Sequence, residues 1–515
     1  MSLQGVTFGL FAVLFAMLPF TPAALAAGKC ESLATIVLPD TTITLAQSVP
    51  PGALSLAEIG DSAQQQIATF KQLPAFCRVA ATLKPSKDSD IKIEVWMPLE
   101  NWNNKFQAVG NGGWAGSIRY PALAEALLRG YSTSGTDTGH TGSESDASFA
   151  LGHPEKVIDL GYRSEHEMTV KAKALIHAFY GNAPKFSYWN GCSTGGRQGL
   201  REAQSYPQDY DGIIAGDPAN PVTRLAAWGT YIGREMLKDP ANSIPSSKYP
   251  MIHRAVINAC DAIDGLKDRL IDDPTRCKFD FASLQCKGED SASCLTSAQI
   301  ESARKITSAA IHPTTGEVIY PGLPLGSELG WAGKTGGTEP LPLNTGEFKY
   351  VVFKDANWDW RTFNLETDVA LADKIDNGTM NAINPDLSAF QKHGGKLLMY
   401  HGGSDQAVPP LSTINYYKSV LDKMGSGAKT AEWLRLFMVP GMGHCRGGDG
   451  PNTFDAVTAL EDWVEKGRAP EKIIASHSSD GKVDRTRPLC PYPQVAAYQG
   501  NGSIDEAANF VCKMQ

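Results

Sequence analysis

Outside one apolar stretch, Val6 to Phe20, the chain has no hydrophobic run long enough to span a bilayer. That excludes a multi-span membrane protein. Basic clusters are missing too: 47 basic and 55 acidic residues are interspersed, for a net charge of −8. A nucleic-acid binder needs clustered Lys and Arg to neutralise phosphates, so nucleic acid is excluded as a partner and no stable membrane association is expected. The sequence has no internal repeat and no low-complexity tract. It also has no C-x-x-C pair, which argues against a zinc ribbon or a thioredoxin-like redox site.

What is present is an ordinary globular composition over 515 residues, enough to bury a large core and to form two or more domains. Val6–Phe20 followed by Ala24-Leu25-Ala26 reads as a signal peptide spanning residues 1–26. No Lys or Arg precedes the stretch, and an uncleaved N-terminal anchor is the alternative; Lys29 before Cys30 argues against lipoprotein-type cleavage. Ten cysteines, an even count, suit disulfides in an exported chain, secreted or periplasmic. Cys30 and Cys77 open the mature chain, Cys260, Cys277, Cys286 and Cys294 cluster in the middle, and Cys490 and Cys512 close it. Cys192 and Cys445 stand apart, beside residues that carry a chemical pattern.

Strand and helix periodicities alternate along the first part of the chain. Residues 91–97 alternate apolar and polar as a half-buried strand does. Residues 105–110 form a short apolar run that ends in a Gly-rich turn, 121–129 look helical, and 131–136 return as a strand. Residues 165–180 place Met168, Ala172, Leu175, Ile176 and Phe179 on one helical face; 186–190 read as a strand and 195–205 as a helix. Texture changes near Pro221, and from there to about Pro385 the chain is cysteine-, Asp- and Pro/Gly-rich. Short apolar runs suited to buried parallel strands resume at 396–400 and 435–439. The expectation is an α/β fold with a mostly parallel sheet. Its core is in two parts, residues 27–220 and 386–515, interrupted by an inserted lid domain, residues 221–385.

Residues 191–195 read Gly-Cys-Ser-Thr-Gly, the G-x-S-x-G pattern of a sharp strand-to-helix turn that lifts a serine hydroxyl out of the backbone, as in α/β-hydrolases. A strand-like segment precedes it and a helix-like one follows. The partners should come in the order Ser, acid, His. Asp405 follows the run at 396–400 and His444 follows that at 435–439; both are loop residues at the C-terminal end of a strand, where open α/β sheets display functional groups. Ser193, Asp405 and His444 are therefore the candidate catalytic triad. Oxyanion donors are expected from the N–H of Thr194 and from the loop at 110–116, at Gly113 with Gly112 as the alternative. Cys192 is a competing nucleophile, but the elbow presents its central residue, and a Cys192–Cys445 bridge would tie the nucleophile and base loops together.

GCSTGGRQG and PGMGHC, a Cys before the Ser and a Cys after the His, together resemble the tannase and feruloyl esterase family of secreted α/β-hydrolases over essentially the whole mature chain, Cys30 to Cys512. The resemblance implies bridges 30–77, 192–445, 260–277, 286–294 and 490–512, and a lid that sets specificity. It also bears on the Asp-rich loop at 261–273, which by chemistry alone is either a hard-cation site without EF-hand spacing or a solvated acidic turn. The resemblance implies a structural Ca²⁺ held there by the carboxylates of Asp261, Asp264 and Asp268 and the carbonyls of Leu266 and Leu270. His401 resembles a family pocket residue, although a buried structural histidine fits equally. Trp358, Trp360 and Phe363 are candidates for an acyl pocket, with Arg361 among them to meet a polar substituent.

The activity so implied is serine carboxylic-ester hydrolysis of aromatic-acid esters, small molecules or groups released from plant polymer. Feruloyl esters come first because CSTGGRQ looks closer to that branch; galloyl esters and mono(hydroxyethyl) terephthalate are the alternatives. A peptidase on the same fold and a non-catalytic binding protein on a hydrolase scaffold are the rivals, the second opposed by a complete triad.

Overall fold

A computed structural model describes Met1 and residues 29–54, 67–335, 337–425 and 427–514. Apart from Met1, the signal peptide expected over residues 1–26 lies outside the described residues. The core is a nine-stranded sheet. Its strands are β1 (Thr41–Val49), β2 (Phe76–Leu83), β3 (Ile91–Pro98), β4 (Lys105–Val109), β5 (Ser132–Thr136), β6 (Phe186–Cys192), β7 (Gly212–Gly216), β8 (Lys396–Gly402) and β9 (Leu434–Val439). Their spatial order is β1-β2-β3-β5-β4-β6-β7-β8-β9. The β1–β2, β2–β3 and β3–β5 pairings are antiparallel, and every pairing from β5 to β9 is parallel. The sheet is thus mostly parallel, as expected.

Helices cover both faces, which a parallel sheet requires because its connections cross over the sheet. The labelled helices are α1 (Tyr120–Leu128), α2 (Ser164–Tyr180), α3 (Thr194–Ser205), α4 (Val222–Leu237), α5 (Tyr249–Cys260), α6 (Ser297–Thr307), α7 (Thr367–Asp376), α8 (Pro410–Met424) and α9 (Ala456–Lys466). On one face the apolar stripe of α2 (Met168, Ala172, Leu175, Ile176, Phe179) packs with Leu200 of α3 and Tyr417 of α8 against Val79, Ile93 and Trp189. On the other face Ala126 of α1 and Leu460 and Trp463 of α9 cover Tyr188, Ile214, Leu398 and Phe437. The segment between β7 and β8 has a core of its own, running from Ala226 to Ala372 and including Trp228, Tyr320, Trp331 and Phe348.

One expectation is corrected. Strand β3 is not half-buried: of its eight residues only Lys92 is exposed. The polar residue that made the alternation look amphipathic, Glu94, is buried in an ion pair with buried Arg78, at 2.6 Å, and accepts a further hydrogen bond from Trp96 Nε1 at 2.6 Å. A charge goes inside only with such partners.

All ten cysteines are paired, as 30–77, 192–445, 260–277, 286–294 and 490–512.

Removing one member of a buried ion pair leaves an uncompensated charge. Arg78→Met should therefore destabilise the fold by about 3 kcal/mol, read as a lower urea midpoint at unchanged m-value; an unchanged midpoint would mean that the pair adds nothing to stability.

Candidate active site

Five parallel strands, in the spatial order β4, β6, β7, β8, β9, deliver five loops side by side. Strand β6 ends at Cys192 and α3 starts at Thr194. Between them Ser193 has φ 63° and ψ −121°, a backbone state that costs a non-glycine residue on the order of 1–3 kcal/mol. The surroundings hold it there. Its N–H donates to the Gly216 carbonyl at 2.9 Å, and its own carbonyl accepts from Arg197 at 3.0 Å and Ala219 at 3.2 Å. The flanking glycines are needed because the chain passes too close to admit a side chain: a Cβ on Gly191 would sit 2.5 Å from the Gly195 carbonyl oxygen.

The Gly-rich loop after β4 is fastened to this turn. Gly195 N–H donates to the Asn111 carbonyl at 2.8 Å, and Thr194 Oγ1 donates to the Gly113 carbonyl at 2.7 Å. Gly113 has φ +51°, and a Cβ there would lie 2.1 Å from the Glu144 carbonyl oxygen. Thr194 opens a helix, so its N–H has no acceptor within the helix and stays available to a ligand.

Asp405 and His444 meet across the loops that follow β8 and β9. His444 Nδ1 lies 2.7 Å from Asp405 Oδ2, and the His444 N–H donates to Gln406 Oε1 at 3.2 Å. Asp405 is fully buried. Its Oδ1 accepts the N–H groups of Ala407, at 2.7 Å, and Val408, at 2.9 Å. Burial alone would raise its pKa, but the charges and hydrogen bonds of His444 and His401 outweigh that and hold the carboxyl well below the usual carboxylate range. For His444, burial alone would lower the pKa; the Asp405 charge and hydrogen bond reverse this and push it up to about 9.

Ser193, Thr194, Gly113 and His444 line one cavity of about 600 Å³. The segment between β7 and β8 supplies much of the opposite wall, through Leu225, Ala226, Leu341, Leu343 and Lys334.

Two sequence assignments do not survive. His401 is not a pocket residue: it is fully buried behind Asp405, with Nε2 3.1 Å from Asp405 Oδ2 and 2.8 Å from the Val408 carbonyl, and Nδ1 2.7 Å from Thr413 Oγ1. A histidine on a buried strand end finds protein partners instead of a ligand. Arg361 is exposed, ion-paired to Asp359 at 3.0 Å and stacked on Trp360, and neither it nor Trp358, Trp360 or Phe363 borders the cavity. Phe363 packs inside the insertion core. A cation that the sequence reading did not name, Lys334, lies buried on the cavity wall, 4.9 Å from the centre of the Trp228 ring. Asp217, directly after β7, was also missed; it shares with Asp405 the one signal available, an acid just past a buried parallel strand.

In the acidic loop, Asp261 Oδ1 accepts the N–H groups of Asp268 and Arg269, both at 2.9 Å, and Asp264 Oδ1 accepts that of Leu266 at 2.9 Å. Asp268 is buried, ion-pairs with Arg487 and accepts the Leu270 N–H at 3.2 Å. Asp272, absent from the sequence reading, hydrogen-bonds Asp264 and faces Asp268. Among the described residues these aspartates do not bring three ligand atoms within 4.8 Å of one another; the oxygens of Asp261 and Asp268 are engaged by backbone N–H groups and Arg487.

A family model described as tannase and feruloyl esterase matches residues 77–513. An uncharacterized esterase of Xanthomonas campestris pv. campestris is 37% identical, with 95% of this chain and 91% of that protein covered. A probable feruloyl esterase B-1 of Aspergillus flavus is 33% identical, with 96% and 99% covered. Among solved structures, feruloyl esterase B from Aspergillus oryzae superposes with a TM-score of 0.87 at 32% identity, covering 94% of this chain and 99% of that one. A tannin acyl hydrolase from Aspergillus niger shares the fold, with a TM-score of 0.76 at 22% identity and 93% of each chain covered.

The electrostatics of the Asp405–His444 pair have a sign that can be checked. Asp405→Asn removes the charge that raises His444 and leaves the burial that lowers it, so the imidazole should titrate at lower pH than in the parent. Ring-proton NMR signals of His444 followed against pH measure this; an unshifted or upward-shifted titration would contradict it.

Proposed function

This chain belongs to the tannase and feruloyl esterase family, and on that premise we propose that it is an exported serine carboxylesterase that cleaves esters of aromatic acids, feruloyl esters first. One observation carries the reading. Ser193 stands in a strained strand-to-helix turn on the same cavity as His444, which is bonded to Asp405, and the residues adjoining the Ser and the His are disulfide-linked. Feruloyl is favoured over galloyl because the relatives covering nearly all of the chain at 33% identity carry the feruloyl esterase name, whereas the tannin acyl hydrolase is 22% identical. Export fits five disulfides, a segment at 1–26 patterned as a signal peptide, and the lack, among the described residues, of any helix long and apolar enough to cross a membrane.

The chemistry follows the Ser-His-Asp scheme. His444 removes the Ser193 proton as the oxygen attacks the ester carbonyl. The N–H groups of Thr194 and Gly113 receive the oxyanion. His444 then passes its proton to the leaving alcohol, and the acyl group remains on Ser193. Water, deprotonated by His444, attacks this acyl-enzyme and releases the acid. Asp405 holds the imidazole's orientation and balances its positive charge. The insertion acts as a lid whose apolar wall takes the aromatic ring, with Lys334 in the place first given to Arg361 for meeting a polar ring substituent.

The acidic loop would hold a structural Ca²⁺ through Asp261, Asp264 and Asp268 with the carbonyls of Leu266 and Leu270. A bound cation would relieve the repulsion among these carboxylates. No reacting group lies in the loop.

Purified protein should hydrolyse methyl ferulate faster than methyl gallate, and Ser193→Ala should lower kcat at least about a thousandfold while the fold stays intact. Turnover by the variant within about a tenth of the parent's would dismiss Ser193 as the nucleophile. Excess chelator should lower the Tm, and Asp264→Ala should reproduce the drop. If the melting curve does not move and elemental analysis finds no calcium, the loop is an acidic turn only.

A further inference from the structure

We propose that Asp217 is a positioning residue of this esterase: its buried carboxylate pins the base loop to the acid loop and supplies a second negative charge behind His444. The proposal rests on the triad reading above and goes beyond it. Asp217 is the first residue after β7, fully buried, with φ +35°. Its two oxygens are spent on two different loops. Oδ2 accepts the N–H of Cys445, the residue after His444, at 2.6 Å. Oδ1 accepts the N–H of Gly402, three residues before Asp405, at 2.7 Å. Its own N–H donates to the Tyr400 carbonyl at 2.9 Å, so one residue ties together the C-terminal ends of β7, β8 and β9. Oδ2 also lies 3.2 Å from the sulfur of Cys192, so the carboxylate packs against the bridge that joins Cys192 to Cys445.

The neutral alternatives do not do this job. An alanine leaves the buried Gly402 N–H and the half-buried Cys445 N–H without an acceptor. An asparagine offers one oxygen and one amino group to two donors, so one of them meets another donor. A carboxylate is the side chain of this size that accepts on both sides at once.

The charge matters as well as the shape. The groups acting on His444 are Asp405 from the loop after β8, Asp217 from the end of β7, and Lys334 from the insertion, the two acids favouring the imidazolium and the lysine opposing it. His401, 3.7 Å from Asp217 and 3.1 Å from Asp405, faces the Val408 carbonyl with Nε2 and the Thr413 hydroxyl with Nδ1. Burial alone would lower the His401 pKa, and the Asp217 and Asp405 carboxylates raise it. Burial and the Asp405 charge raise the Asp217 pKa, against the His401 and His444 charges and the Gly402 N–H; ionised between its two backbone donors, Asp217 stabilises the positive charge that His444 acquires when it takes the Ser193 proton.

The test uses the full-length enzyme with Asp217→Asn and Asp217→Ala, active sites titrated so that turnover is counted per folded molecule. Both variants should lose kcat, by about tenfold or more, with KM within about twofold of the parent. In both, the acidic limb of the kcat/KM profile should move to lower pH. If Tm falls but kcat per active site and the pH limb stay at parental values, Asp217 only stabilises the fold and the proposal is overturned. The isosteric Asn variant keeps the test open if the Ala variant does not fold. A Ser193→Ala control separates the two levels. If that control is inactive while the Asp217 variants match the parent, only this inference fails; if it remains active, the triad reading fails with it.

Discussion

A carboxylate sealed from water must find its hydrogen-bond donors inside the protein, and the buried Asp405 imposes that condition on this site. Two of its donors are backbone N–H groups of its own loop, Ala407 and Val408, which fix the turn after β8. The others are His401 beneath and His444 in front. His401 needs Thr413 and the Val408 carbonyl to stay oriented, so the demand passes on to α8. Removing water strengthens the Asp405–His444 interaction for the same reason that it makes an unmet charge costly. One buried acid thus dictates the shape of the loop, the identity of the residue behind it and the electrostatic state of the histidine ahead of it.

The parallel sheet makes this affordable in chain terms. Neighbouring parallel strands all point their C-terminal ends the same way, so the loops after β4, β6, β7, β8 and β9 emerge side by side. Each contributes one kind of group: glycine backbone after β4, the hydroxyl after β6, carboxylates after β7 and β8, the imidazole after β9. The cross-links between loops are short and polar, such as Thr194 to Gly113 and Asp217 to Cys445. Rigid strands set the spacing to within a few ångströms, and these links set the rest.

This division explains what could be read from the residues. Ser193, Asp405 and His444 were legible because each sits in a local pattern, an apolar run followed by a Gly-containing loop, and because chain order constrains the three together. The alternation of sheet and helix was legible for the same reason. His401 and Arg361 were misplaced because nothing local says which way a side chain faces: His401 turns into the core to serve Asp405, and Arg361 turns out to Asp359. Glu94 misled the reading of β3 because its partner, Arg78, comes from β2, opposite a neighbouring residue. Asp217 and Lys334 went unread because their significance lies mostly in groups more than a hundred residues away.

The insertion and the core divide the work along similar lines, but they are not independent. The insertion contributes apolar wall and Lys334, whereas the serine, acid and histidine all come from the core, so the wall can change composition without disturbing the triad. Its attachment to the base loop limits that freedom. His253, on α5 of the insertion, hydrogen-bonds buried Glu328 of the insertion at 2.8 Å and Asp449, five residues beyond His444, at 2.9 Å. Burial alone would lower the His253 pKa, but these two carboxylates push it up to about 9, so at neutral pH it is a charged clasp between the two units. The loop that carries His444 is therefore held from three directions: covalently by Cys192, by the Asp217 carboxylate beneath, and by His253 from the insertion side. In the mechanism proposed above, His444 moves a proton between a serine, a leaving group and a water, and that needs its ring to stay in place through all three steps. Three anchors of different chemistry on one short loop are how this chain meets that need.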